Sequence, residues 1–205
     1  MIRSLVSVSV LSLALAACSA GSDKAEAPLP EGAWQLAADQ SNVGFVSVKA
    51  GNVGEAHSFN KFSGSVEPDG TVAVAIDLAS VDTGIDIRNQ RMRDMLFEVA
   101  NFPDAKLTAK IDPNAIKALK PGERKTMAVP VTLDLHGTTN SIEAPLTVTR
   151  LAGESVLVET AKPLIIDASA VGLEAGVGKL QEVAKLPAIS TAVPVTASLV
   201  FKPKG

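Results

Sequence analysis

Apolar and polar residues alternate along most of the chain after Gly32, which is typical of strands that bury one face and expose the other. Turn signals such as Pro68-Asp69-Gly70 and His136-Gly137 separate the alternating runs. The clearest runs lie at residues 72–78, 129–136, 142–149 and 193–202, and weaker ones at 43–49, 58–66, 106–111 and 156–166. The pattern predicts an all-β fold of about eight mostly antiparallel strands. Such a sheet usually closes into a barrel or splits into a sandwich.

Two segments depart from this period of two. Residues 85–99 place Ile85, Met92 and Leu96 near one face of a helix, and we expect Asp86 to cap its start. Residues 175–186 form a second apolar helical pattern that ends before Pro187. The chain is therefore predicted to carry two short helices beside the sheet.

The N-terminus has the layout of a secretory signal. Arg3 precedes an apolar run at residues 5–15, which is shorter than the ~20 residues that span a bilayer. The run ends in Leu15-Ala16-Ala17-Cys18, which resembles the bacterial lipobox, and Cys18 is the only cysteine. This resemblance implies that Cys18 is acylated as a lipid anchor, as in palmitate-bearing lipoproteins. The alternatives are an ordinary signal peptide with an incidental cysteine, or a thiol paired between chains.

These features divide the chain into three parts. Residues 1–17 are the predicted signal peptide, residues 18–31 the acylated cysteine with a flexible polar tether, and residues 32–203 the barrel domain. Ser19 rather than aspartate follows the cysteine, which in lipoproteins favours the outer membrane. We therefore expect a lipid-anchored protein of the bacterial envelope that faces the periplasm.

Composition excludes several functions. The formal net charge is −3 and aromatic residues make up 3% of the chain, so we expect no nucleic-acid partner. No Gly-x-Ser-x-Gly motif occurs, and the two histidines, His57 and His136, do not form a zinc motif. We expect no metal, no cofactor and no enzymatic activity. The remaining catalytic alternative pairs His136 with Asp134, and His57 is assigned to the surface.

The candidate binding residues are apolar and cationic. The apolar set either lines an elongated cavity or forms plain core: Phe45, Phe59, Phe62, Met92, Met95, Leu96, Phe97 and Phe102. The candidates for an anionic head group are Arg88, Arg91 and His136. Their structural alternatives are the solvated face of a helix for the arginines and a bond to the turn backbone for His136.

Several motifs together resemble the YceI-like family of exported, lipocalin-like proteins. Trp34 is followed by Asp39-x-Ser41-x-Val43-x-Phe45, and later by Ile76-Asp77-Leu78-Ala79-Ser80-Val81-Asp82-Thr83-Gly84. The other matching segments are Phe62-Ser63-Gly64, Arg88-x-x-Arg91-Met92-Arg93, Leu96-Phe97-x-Val99-x-x-Phe102-Pro103 and Leu133-Asp134-Leu135-His136-Gly137-Thr138-Thr139. The chain departs from the family at Asn89, where aspartate is common, and at Arg91, where histidine is common.

The resemblance implies an eight-stranded antiparallel barrel around a long apolar pocket that binds polyisoprenoid or other long amphiphilic chains. Some members are dimers, so it also allows a homodimer. We therefore expect a membrane-tethered binding protein for an isoprenoid, a quinone or a similar lipid. The alternatives are an enzyme acting at the barrel mouth and a solid structural barrel without a ligand.

Overall fold

The structure is a computed structural model that describes residues 28–205. The predicted signal peptide, the predicted anchor Cys18 and residues 19–27 of the predicted tether lie outside the described residues. Within residues 28–205, no helix is long and apolar enough to cross a bilayer.

Twelve strands and three α-helices make up the described fold. The strands are β1 Trp34–Leu36, β2 Asn42–Lys49, β3 Val53–Phe59, β4 Phe62–Val66, β5 Thr71–Asp77, β6 Val81–Asp82, β7 Asp104–Lys110, β8 Arg124–Leu135, β9 Thr138–Arg150, β10 Val156–Thr160, β11 Leu164–Asp167 and β12 Ala192–Pro203. The helices are α1 Asp86–Arg91, α2 Pro113–Lys117 and α3 Glu174–Val183. A π-helical turn, Met92–Leu96, continues α1.

Eight of these strands close into an antiparallel barrel, which confirms the predicted fold class. The pairing follows the order β1-β4-β5-β7-β8-β9-β10-β12 and returns to β1. Strand β12 completes the ring because its C-terminal half pairs on both edges: Phe201 lies opposite Leu36 of β1 and opposite Val156 of β10. Full closure leaves these strands without a free edge over the paired length.

The other strands extend one end of the barrel. The N-terminal half of β12 pairs with β2 on one edge and with β11 on the other. Strand β2 continues into the hairpin with β3, which in turn pairs with the short β6. At this end the sheet therefore reaches beyond the barrel and meets α1, the π-turn and α3, which we call the helical end.

Several local predictions need correction. The run at residues 58–66 is two strands, because the chain turns at Asn60, whose N–H donates to Ser80 O. The run at 156–166 likewise splits into β10 and β11. The predicted cap Asp86 is instead the first residue of α1, after Ile85, and makes no capping bond. Strands β1 and β6 and helix α2 were not predicted, because each is too short for a periodic pattern.

The predicted flexible tether ends earlier than residue 31. Leu29 is only 4% exposed and packs in a small apolar cluster with Leu119, Val148 and Val156. Lys117 of α2 lies 3.4 Å from Glu31. Burial of Leu29 thus fixes this segment against the end of the barrel opposite the helical end.

The helical end is tightly packed where α3 crosses the π-turn. Gly176 faces this turn, and a Cβ there would lie 2.8 Å from Leu96 Cα and 2.9 Å from Met95 O. Such distances are far below van der Waals contact, so the close approach requires glycine. Gly178, two residues along the same helix, has open space around its Cβ position.

We predict that Gly176→Ala lowers the free energy of unfolding by about 1–2 kcal/mol, because the clash outweighs the gain in helix propensity. The matched change Gly178→Ala should raise it by about 0.5–1 kcal/mol through propensity alone. Urea unfolding followed by circular dichroism measures both. Equal effects of the two substitutions would contradict the described packing of α3.

Candidate functional site

The barrel encloses an apolar cavity of about 490 Å³. That volume falls within the range of ~300–1,000 Å³ that is usual for ligand pockets. Its wall is built from the inward-facing side chains of the barrel strands, which are mainly valine, leucine, isoleucine and phenylalanine. Representative wall residues are Val74, Ile76, Leu107, Val129, Leu133, Ile142, Val158, Leu199 and Phe201. An interior of this kind suits an apolar ligand.

Small inward-facing residues help to keep the barrel hollow. Ala105 and Ala109 of β7, Ala144 of β9 and Ala197 of β12 all belong to the cavity wall. Each stands where a larger aliphatic side chain would project into the interior, because alternate residues of a strand point to the same face. The interior is therefore not filled by its own side chains.

The two ends of the cavity differ. At the helical end the wall includes the buried side chains Leu78, Leu96, Phe97, Val171 and Val177. At the opposite end the wall includes residues that reach solvent. These are Glu31, Gly32, Glu67 and Pro68, together with half-buried Lys117, and we call this set the mouth. A ligand therefore has access through the mouth, whereas the helical end is closed.

Four of the eight predicted pocket residues line the cavity: Phe45, Phe59, Leu96 and Phe97. Phe45 and Phe59 lie on neighbouring strands with their ring centroids 5.4 Å apart, and Phe59 lies 5.8 Å from Phe97. This row of rings joins the β2–β3 hairpin to the segment after the π-turn. It forms the part of the wall that borders the helical end.

The other four predicted pocket residues do not line the cavity, because each packs elsewhere. Met92 is buried in the apolar core and the partly buried Phe62 packs against that core. Met95 lies in the π-turn, whose backbone is crossed by α3. Phe102 packs on His136, with ring centroids 4.3 Å apart, and supports the β8–β9 turn. Of the eight predicted residues, four therefore line the cavity and four pack elsewhere in the fold.

The predicted head-group residue Arg88 lies outside the cavity wall. Its Nη1 donates to Glu55 Oε2 at 2.7 Å and its Nη2 donates to Thr83 O at 2.6 Å. Lys49 Nζ lies 2.6 Å from the same carboxylate. The hydrogen bond from Lys49 holds the pKa of Glu55 below its usual value, and the charge of Arg88 acts in the same direction. Arg88 therefore fastens α1 to the β2–β3 hairpin.

Arg91 and His136 also lie outside the wall, at the helical end. Arg91 is the half-buried last residue of α1. His136 occupies the β8–β9 turn in the left-handed region, with φ +52°, followed by Gly137 with φ +73°. Its side chain faces Phe102 and lies 4.0 Å from Glu98 Oε2. Neither residue lines the cavity, and His136 instead packs on Phe102 near Glu98.

The two residues of the catalytic alternative, Asp134 and His136, do not face a common site in the structure. Asp134 is exposed on the outer face of β8, between the inward-facing Leu133 and Leu135. His136 is mostly covered and turns toward Glu98. The two residues therefore do not meet at the mouth, which lies at the other end of the barrel.

His57 is buried, which corrects the prediction of a surface role. It is 7% exposed, its Nε2 bonds to Ser47 Oγ at 2.8 Å, and its ring packs on Phe45 at 5.1 Å. Burial lowers the pKa of His57, and the charges of Arg88 and Lys49 lower it further, against the opposing charge of Glu55. The neutral imidazole is therefore favoured behind the wall of the cavity.

The mouth was not predicted from the sequence. Its residues come from the N-terminal segment, the β4–β5 turn and α2, which are far apart in the chain. They include the charged Glu31, Glu67 and Lys117, and no motif marks them. Among residues 28–205, no group of three or more histidine, aspartate or glutamate side chains is arranged to hold a metal ion.

Comparison with known proteins gives a consistent picture. The family model described as the YceI-like domain matches residues 34–201. No curated protein matches the chain.

Three solved structures illustrate the likeness. A polyisoprenoid binding domain from Saccharophagus degradans, implicated in plant cell wall breakdown, is 41% identical with a TM-score of 0.83, over 85% of this chain and 100% of that one. BcnA of Burkholderia cenocepacia is 24% identical with a TM-score of 0.62, over 80% and 98%. The Campylobacter jejuni YCEI protein is 17% identical with a TM-score of 0.54, over 73% and 85%. The last two show a shared fold.

Proposed function

Because the chain belongs to the YceI-like family, we propose that it binds a long-chain isoprenoid, a quinone or a similar amphiphilic lipid within its barrel. The fold and the family support a lipid- or isoprenoid-binding protein. The relative that is 41% identical is described as a polyisoprenoid binding domain, which favours an isoprenoid chain here.

The single observation that carries this proposal is the 490 Å³ apolar cavity with one closed end. An elongated chain entering at the mouth meets aliphatic and aromatic side chains as far as Leu96 and Val177. Polar wall residues are few, and they include Thr108 and Thr160. A polar small molecule would lose its hydration in this interior without recovering equivalent hydrogen bonds, whereas an apolar chain loses none.

Burial of the chain supplies the affinity. Each methylene taken from water contributes about 0.8 kcal/mol, so ten of them give a gross gain of about 8 kcal/mol. Part of this gain offsets the loss of freedom of the bound chain. The remainder suits reversible retention of a lipid, as a carrier or a buffer requires.

The solid structural barrel is disfavoured by the same observation. A filled barrel would place large side chains at Ala105, Ala144 and Ala197, and the interior would then hold no more than small voids. The cavity instead has the size of a ligand pocket.

The proposal includes a membrane tether. We propose that Cys18 carries an acyl anchor and holds the domain at a membrane of the bacterial envelope, most directly the outer membrane facing the periplasm. The placement of Leu29 supports this arrangement, because the chain enters the barrel beside the mouth. A tether leading to that end would bring the mouth close to the lipid surface from which the ligand is loaded.

Filling part of the cavity should weaken lipid binding. Ala109 lies on the wall between β5 and β8, so Ala109→Phe would displace two or three methylenes of a bound chain. At about 0.8 kcal/mol each, the affinity for a polyprenol should fall at least about tenfold. Native mass spectrometry after incubation with polyprenol measures the bound fraction.

The matched control is Ala128→Phe, which places the same side chain on the exposed outer face of β8. It should bind polyprenol as the unmodified protein does. If the unmodified protein neither carries a co-purified lipid nor takes up polyprenol or quinone, the proposed function is wrong.

Replacement of the anchor tests the tether separately. Cys18→Ser, expressed in a Gram-negative host, should move the protein from the outer-membrane fraction to the soluble periplasmic fraction, because one acyl-bearing residue would hold it there. The released protein should still bind polyprenol, since Cys18 lies outside the barrel segment. A variant that stays with the membrane would contradict the anchor and leave the cavity proposal intact.

A further inference from the structure

A boundary in the barrel wall lacks a backbone ladder near the helical end. Strands β10 and β11 follow one another along the same edge of β12, because β12 carries β1 and β2 on its other edge. Strand β9 pairs with β10 from Leu146 to Arg150. Among residues 28–205, however, no ladder joins β9 to β11. We call this boundary, between residues 138–144 of β9 and strand β11, the seam.

A bulge between β10 and β11 contributes to the seam. Four residues, 160–163, connect the paired parts of these strands, whereas β12 has only residues 196 and 197 opposite them. The N–H of Ala197 donates to Thr160 Oγ1 at 3.3 Å, which is a side-chain bond within the ladder. Surplus residues of this kind bend a strand and interrupt its pairing. The bulge therefore keeps β11 on β12 but shifts its register from that of β10.

Two prolines end the β9–β10 ladder where the seam begins. The N–H of Ala161 donates to Pro145 O at 2.8 Å, and Pro145 has no N–H to donate in return. Bonded positions alternate in an antiparallel ladder, so the next one along β9 is Glu143. The same register would place Pro163 opposite Glu143, and this proline also lacks a donor. In the described part of the chain, residues 139, 141 and 143 thus face the seam without a ladder partner on β11.

The inner side of the seam is the cavity itself. Ile142 and Ala144 of β9, and Leu164 and Ile166 of β11, are all residues of the cavity wall. Parting these two strands moves apolar side chains and breaks no ladder bond between them. Parting β8 from β9 would instead break a ladder of twelve residue pairs. The seam is therefore a weaker boundary of the wall than its neighbour.

The seam is closed at both of its ends. One end is the bond from Ala161 to Pro145. At the other end a Cβ on Gly172 would lie 3.0 Å from Thr138 Oγ1, so the 3₁₀ turn Ser169–Val171 ends close against the start of β9. The β9 residues between these ends span about 20 Å of extended strand. An opening of this shape suits an extended chain that passes sideways.

We propose that the seam is a second, lateral entrance through which a lipid chain enters and leaves the cavity between β9 and β11. This inference rests on the proposed lipid-binding function. An added strand from another protein is disfavoured at the seam, because prolines and exposed charges such as Pro163, Lys162 and Glu143 prevent strand addition at sheet edges. A hydrocarbon chain forms no backbone bonds, so the same residues do not oppose its passage.

Amide hydrogen exchange followed by NMR tests the unpaired boundary. In the lipid-free protein, Thr139, Ser141 and Glu143 should exchange at least about tenfold faster than Asn140 and Ile142, because alternate amides of β9 donate to β8. Equal protection of the two sets would mean that β9 is paired on both edges, and it would overturn the inference.

A cross-link across the seam tests the passage of lipid. Ser141→Cys and Ile165→Cys place exposed thiols on its two sides, and the Cys18→Ser background contains no other thiol. A short bis-maleimide then joins the two thiols. Release of bound geranylgeraniol to excess phosphatidylcholine vesicles, followed by the fluorescence of Trp34 in the cavity wall, should slow at least about fivefold. The equilibrium affinity should stay unchanged, because the cross-link slows entry and release alike.

The matched control moves one thiol to the opposite side of β9. Thr132→Cys and Ser141→Cys are exposed register partners of the β8–β9 ladder, and the same linker there should leave the release rate unchanged. Equal release rates of the two cross-linked proteins would overturn the lateral entrance while the lipid-binding function stands. If the protein takes up no geranylgeraniol before cross-linking, the proposed function is wrong and the inference fails with it.

Discussion

The double pairing of β12 is the constraint on which the rest of the structure depends. Its C-terminal half joins β1 to β10, with Phe201 opposite both Leu36 and Val156, and its N-terminal half joins β2 to β11. Closure of the ring gives every barrel strand one face toward a common interior. Without this closure the inward-facing alanines and valines would line an open sheet, and no cavity would exist.

Closure also separates the polar chemistry of the protein from its interior. At the helical end, Arg88 and Lys49 both bond to Glu55, and the Arg88 bond holds α1 on the β2–β3 hairpin. His136 faces Phe102 and Glu98, and His57 is buried beside Ser47. These groups stabilise the helical end of the barrel. The interior itself offers apolar contact, which is the interaction that retains a lipid chain.

The sequence predicted the parts of this structure that depend on periodicity. Long alternating runs such as those of β8 and β12 identified strands, and their number indicated a barrel or a sandwich. The resemblance to the YceI-like family then implied the barrel. Pairings that depend on tertiary context were not predictable: β1 spans three residues, and β3 and β4 read as one run because Asn60 breaks them through a contact with Ser80. Half of the candidate pocket residues line the cavity, because aromatic residues mark a core. Only the folded barrel shows that Phe45 faces the cavity while Phe102 packs against the β8–β9 turn.

The predicted head-group residues show the same limit of prediction from sequence. Arginine is the residue type expected beside a phosphate, so Arg88 and Arg91 were natural candidates on chemistry alone. The fold uses Arg88 as an internal brace and forms the mouth from Glu31, Glu67 and Lys117, which come from three distant segments. Their proximity depends on where Leu29 and α2 pack, and local sequence carries no signal for that packing.

Methyl NMR with labelled isoleucines tests the central claim most directly, because isoleucines lie both inside and outside the barrel. Ile76 and Ile142 line the interior, Ile111 and Ile116 lie near the mouth, and Ile85, Ile87 and Ile165 are exposed. On titration with polyprenol, the account predicts shifts of the interior and mouth methyl groups and none at the three exposed ones. Shifts confined to Ile85, Ile87 or Ile165, with Ile76 and Ile142 unchanged, would contradict a lipid bound within the barrel.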